Sequence, residues 1–338
     1  MSTPIRFTCV FVLFLSIIFS EKYSYADQTT FTLATASKGG TYYPVGEALA
    51  TLTKVMLQPK ENISITAIVT AGSEENIQLL RENKAQFAIL QGLYGYYALN
   101  GIGPIANDGP QKELRSISML WQQVEQFIVA SEKIKTTTIS DIVELKGAKV
   151  SFGKMNSGTL GENIFLLKNL NIDASNTFDF VYAGYGESID LIRNGKIQAI
   201  SLPAGVPTTA VSYAFRLMGD KLAMLNFTPE QAKQADGGLG LWTPYRIPAG
   251  TYPGLEKDVM TIAQTNFLVV RADVDDKAVY NITKLIFENL RFLQNIHKAT
   301  LEMSTEKALE GLLIPLHPGA AKYFKEIGVK IPANLIVK

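Results

Sequence analysis

The chain is poor in the residues that carry most covalent and metal chemistry. Its 338 residues include one cysteine and two histidines. The cysteine, Cys9, lies in an N-terminal apolar segment that the protein is expected to lose. The remaining chain then has no disulfide, no thiol nucleophile and no cysteine metal site. His297 and His317 form no His-x-x-x-His pair, which argues against zinc. Neither lies near a Gly-x-Ser-x-Gly motif, which argues against a serine hydrolase. An excess of either charge is missing too: 32 basic residues stand against 31 acidic ones. A nucleic-acid partner or an anionic membrane surface would call for a basic surplus. No repeat and no low-complexity stretch interrupts the chain. No catalytic residue, metal or cofactor is therefore expected.

The N-terminus is the only strongly apolar stretch. Arg6 precedes a largely apolar run over 7–19, and Ser24-Tyr25-Ala26 offers small residues at the cleavage-determining positions. This is the secretory signal pattern, too short for a spanning helix. Cleavage is expected after Ala26, giving an exported protein.

Strand-like and helix-like runs alternate through the first half, which predicts an α/β fold with parallel sheets flanked by helices. Runs over 31–35, 64–70 and 86–90 read as strands, with helical runs near 44–57 and 74–83 between them. After the first strand comes Thr35-Ala-Ser-Lys-Gly-Gly-Thr-Tyr-Tyr-Pro-Val-Gly46. Gly39 and Gly40 allow a sharp turn and close approach to a ligand. Thr41 is expected to cap the helix, with Pro44 in its first turn. The first amides of such a helix lack partners and favour anions. Turns of this kind also cap helices that bind nothing. Two more follow strands: Thr70-Ala-Gly-Ser73, with Ser73 as the expected cap, and Gly153-Lys-Met-Asn-Ser-Gly-Thr-Leu-Gly161. The latter lacks the Gly-Lys-Ser/Thr of a nucleotide P-loop. Gln91 ends a strand, where open α/β sheets usually place ligands. The tyrosines at 94, 96 and 97 read as core, and 236–254 as a long surface excursion. Carboxylates are plentiful, but no pair stands out for acid–base work.

Helix starts with small hydroxylated residues in both halves suit a small anion such as a carboxylate. Charge-assisted hydrogen bonds contribute about 1.5–3 kcal/mol each, and a partly buried helix end up to about 2 kcal/mol. Micromolar affinity needs about 8 kcal/mol, so several bonds and two helix ends suffice without an arginine. Lys38 is an optional cation.

Together these segments resemble the TAXI family, the solute-binding receptors of one class of TRAP (tripartite ATP-independent periplasmic) transporters. The resemblance rests on Gly39-Gly-Thr-Tyr-Tyr-Pro-Val-Gly46, Thr70-Ala-Gly-Ser73 with Asn76, Ala88-Ile-Leu-Gln91, Leu145-Lys-Gly147, Val150-Ser-Phe-Gly153, Ser157-Gly-Thr159 and Pro315-Leu-His-Pro-Gly-Ala320 with Tyr323. It implies a type II periplasmic-binding-protein fold, with two α/β lobes joined by crossing strands and closing on a ligand cleft. Lobe 1 would be 27–124 plus 262–338, and lobe 2 would be 125–261. The implied partner is an ion-driven TRAP permease, and the implied ligand a small carboxylate or a glutamate-like amino acid. Carried over by position, the implied contacts are Gly40, Thr41, Tyr42, Ser73, Gln91, Ser157, Gly158 and Thr159. Asn156 departs from the family pattern, which often has Gly there. A ligand-binding sensor, a surface-interaction protein or an enzyme on the same fold are the competing readings.

Overall fold

The computed structural model describes residues 28–337. The expected export signal and its cleavage after Ala26 lie outside the described residues.

The alternating runs fold into two sheets with one connection scheme. In the first sheet β1 (Thr29–Ala34) lies parallel between β2 (Ile63–Ile68) and β3 (Phe87–Gln91). The long β4 (Leu114–Val124) does not pair with β3. The second sheet comprises β5 (Phe127–Ala130), β6 (Lys149–Ser151), β7 (Asp179–Phe180), β8 (Ala199–Ser201) and β9 (Leu222–Met224), ordered β7-β6-β8-β5-β9. The chain then returns through β10 (Thr243–Ile247) to β11 (Val259–Arg271). β11 enters the first sheet antiparallel to both β3 and β4. The first sheet thus reads β2-β1-β3-β11-β4, the same pattern as the second, with β10 added along the start of β11. The expected α/β class with crossing strands is what forms.

The helices are placed by their apolar faces. Tyr42–Leu52 buries Tyr42, Val45, Ala48, Leu49 and Leu52 against the first sheet. Each large apolar side chain so buried contributes about 1.5–3 kcal/mol. Tyr94 and Tyr97 are core, as expected. The excursion expected over 236–254 is not all surface. It contains β10, and Trp242 and Tyr252 are buried. Its polar and glycine-rich composition hid these two anchors. The last part of the expected lobe 2, 125–261, touches both sheets. β10 and the start of β11 hydrogen-bond to the first sheet, whereas Ile247, Tyr252 and Val259 pack with Ile200 and Val211 beside the second. This segment straps the two halves together.

Candidate functional site

Four helix N-termini converge on one cavity of about 30 Å3 between the sheets: Tyr42–Leu52, Ser73–Arg81, Gly158–Asn169 and Tyr185–Arg193. The first two follow β1 and β2. The last two follow β6 and β7, the equivalent strands of the second sheet. Gly40, Thr41, Tyr42, Ser73, Gln91, Gly158 and Thr159 all line the cavity. Among the described residues, the amides of Thr41, Tyr42, Gly158 and Thr159 have no hydrogen-bond partner. No lining side chain is charged. Lys38 stands instead over the Tyr43 ring, 5.6 Å from its centroid.

Several expected residues do different work from that anticipated. Ser157 is the one of the eight that does not line the cavity. It is the N-cap of its helix: its Oγ accepts from Leu160 N and donates to Lys154 O. A capping hydroxyl turned back onto its own helix has no donor left for an anion in the cleft. Thr41 occupies an N-cap position but makes no side-chain cap; its Oγ1 donates to Gly205 O at 3.2 Å. Ser73 is not the cap of its helix, because Gly72 holds that position with φ 130°. Its Oγ accepts from Gln91 N at 3.2 Å and orients the Gln91 amide. Asn76, where a capping box would need Glu or Gln, donates to Thr35 O and Ile89 O and so ties the ends of β1 and β3 together. Asn156 sits in the left-handed region at φ 58°, the conformation that favours glycine there.

The halves touch through specific bonds. Gln91 Nε2 donates to Gly158 O at 3.1 Å, Ala210 N to Gly39 O at 3.2 Å, and Glu75 N to Asn156 O at 3.2 Å. A Cβ at Gly158 would collide with the Gln91 amide oxygen and lie 2.9 Å from Ser73 Cβ. Only glycine fits that meeting point.

Sequence reasoning missed Gln123 and Tyr185, both in the cavity wall. Tyr185 OH donates to Pro203 O at 2.7 Å and shares a 3.0 Å hydrogen bond with Thr159 Oγ1. The glutamine-rich end of β4, Gln122-Gln123-Val-Glu-Gln126, was the available signal for Gln123. Behind the wall lie Glu125 and Glu162, both fully buried, a pair that did not stand out among the carboxylates of the sequence. Both histidines serve structure. His317 Nδ1 accepts from Gly319 N, and His297 Nδ1 from Ala299 N. Burial lowers the pKa of each. No group of three or more His, Cys, Asp or Glu that could hold a metal exists among the described residues. No helix among them is long and apolar enough to cross a membrane.

Comparison with solved structures yields the same architecture. A Bordetella bronchiseptica protein superposes with a TM-score of 0.52 at 15% identity, covering 90% of this chain and 90% of that one. MatC from Rhodopseudomonas palustris, solved with bound malate, gives 0.52 at 14% identity over 88% of this chain and 97% of that one. The binding-protein component of an ABC phosphonate transporter from Pseudomonas aeruginosa gives 0.51 at 13%, over 85% and 84%. The fold is that of periplasmic solute-binding proteins. A family model matches residues 33–328, nearly the whole described chain. With its four facing helix ends and uncharged cavity, the chain belongs to the NMT1-like family.

Proposed function

We propose that the protein is an extracytoplasmic receptor that captures a small carboxylate or amino acid by closure of two lobes and delivers it to an ion-driven TRAP permease. One observation carries this reading: helix N-termini from both halves converge on a cavity that contains no charged side chain. Amides and dipoles there favour an anion without a salt bridge. A ligand touching both halves would draw together 27–124 with 262–338 and 125–261, the bodies we take to move. The ligand class gains support from MatC, a structure of like fold that holds malate. The TRAP partner rests on the motif resemblance alone. The phosphonate-transporter match favours a second reading, in which the partner is an ABC importer.

Native mass spectrometry of the purified protein would identify a co-purified acid. Trp121 and Trp242 are buried, Trp121 close to Gly205 of the second half, and their fluorescence is the readout for closure. L-malate, L-glutamate and related mono- and dicarboxylates are expected to shift that signal and compact the protein in solution scattering. No response to any of them would overturn the carboxylate reading. Purification of the neighbouring membrane component and a binding assay would separate the two transporter classes.

A further inference from the structure

Glu162 projects from the Gly158–Asn169 helix of the second half into a socket made by the first. Three glutamine amides close around it: Gln91 Nε2 at 2.8 Å, Gln264 Nε2 at 2.7 Å, and Gln123 Nε2 at 3.0 and 3.1 Å. These come from β3, β11 and β4 respectively. Beside it lies Glu125, where the chain crosses from β4 to β5. Its Oε1 accepts from Trp242 Nε1 at 2.9 Å, and its Oε2 is buried without a hydrogen-bond partner among the described residues.

The groups that face this pair are tyrosines: Tyr42, Tyr94 and Tyr185, each on a different helix. Tyr94 OH is itself bonded to Glu74 Oε2 at 2.7 Å. No Lys, Arg or His acts on either carboxyl among the described residues. Two adjacent carboxylates buried without a cation do not both ionise. Burial pushes Glu125 up to about 8, and burial with the charge of Glu125 pushes Glu162 upward too.

We propose that the Glu125–Glu162 pair is a proton site filled together with the ligand as the halves close. This rests on the reading of the cavity as a carboxylate site. Gln91 and Gln123 link the two: both line the cavity and both hold Glu162. An anion in the cavity adds negative charge one amide away from the pair and raises its affinity for a proton. Opening withdraws Glu162 from three amides toward water, and the proton returns to solvent. No bond other than O–H forms or breaks.

Calorimetry in two buffers of different ionisation heat, with L-malate and L-glutamate as probes between pH 6 and 9, measures the proton directly. Wild type is expected to take up as much as one proton per ligand, with Kd rising up to about tenfold per pH unit. Glu125→Gln has the shape of the protonated acid. It keeps an acceptor for Trp242 and gains a permanent donor to Glu162, so its Kd is expected to be flat over the same range. Identical pH profiles for wild type and Glu125→Gln would overturn the proposal. So would a dependence on sodium instead of pH. The pair can also be read without ligand. A carboxyl raised from 4.5 to about 8 on folding contributes stability that is complete below pH 4.5 and lost as pH rises through 8. The melting temperature of wild type should therefore fall more steeply over that window than that of Glu125→Gln. Equal slopes would overturn the proton site. Different slopes with no acid bound would leave the proton site standing and remove the carboxylate reading, and with it the coupling to ligand.

Discussion

The two sheets share one strand order and differ in size. In the first, β4 and β11 run 11 and 13 residues, whereas the longest strand of the second, β5, has 4. Both sheets nevertheless present helix N-termini after their equivalent first and second strands. The anion-favouring framework is therefore a property of the repeated topology. The polar side chains are only partly repeated: both halves bring hydroxyls, and only the first brings amides. The first half supplies the polar side chains of Ser37, Thr41, Tyr42, Ser73, Gln91 and Gln123 to the cavity, where the second supplies those of Thr159 and Tyr185 beside Pro203 and Ala204. On the proposed reading, selection among ligands falls mainly to the first half, with the second as the closing jaw.

The severest way to break this comparison is to prop the jaw open. Gly158→Ala places a methyl group against Gln91 and Ser73. Overpacking costs about 1–3 kcal/mol, which reaches about 100-fold in Kd. The melting temperature of the ligand-free protein should change little, because an open cleft relieves the contact. Titration calorimetry and a thermal melt check both parts.

Gln91→Ala against Tyr185→Phe tests the asymmetry itself. Loss of Gln91 removes bonds to Gly158 O and to the buried Glu162. Hydrogen bonds to charged groups contribute about 1.5–3 kcal/mol, so roughly 10- to 100-fold weaker binding is expected. Tyr185→Phe removes a neutral hydroxyl bond to Pro203 O. Its expected cost is about 0.5–1.5 kcal/mol, or roughly 2- to 10-fold. Equal losses would sink the division of labour.

The smallest effects separate two serines. Ser157→Ala removes a helix cap and should lower stability by about 1 kcal/mol, with binding little changed. Ser73→Ala frees the Gln91 amide that its hydroxyl orients. It should weaken binding a few-fold, by about 1 kcal/mol, with less effect on stability. Denaturant titration beside ligand titration separates the two.

Local chemistry was legible in the sequence, and distance was not. Glycines, threonines and a strand-end glutamine marked three turns that the fold brings to one cavity. Each is set by its own neighbours: Gly72 by its φ, Gly40 by the turn it closes on Ser37 O. Gln123, Tyr185, Glu125 and Glu162 gain their setting from partners far along the chain, such as Gln264 for Glu162. No spacing rule reaches across 102 residues. The capping role of Ser157 is hidden for the opposite reason. A capping serine and a ligand-binding serine look alike until the hydroxyl's direction is known. The apolar positions from Val279 to Leu293 keep one helical spacing, yet they fold as two helices, Asp276–Glu288 and Leu290–Ile296, parted at Asn289. A continuous apolar stripe concealed that break.

The late arrival of β11 has a consequence for how the molecule is made. It is the filling between β3 and β4, yet 167 residues separate the end of β3 from its start at Val259. A contiguous stretch builds the whole second sheet, so that half can mature early. The first half holds two unsatisfied edges until the chain doubles back. Such long-range pairing is slow and leaves sticky borders exposed in the meantime. Those borders, on β3 and β4, close only when the one strand that fits between them arrives.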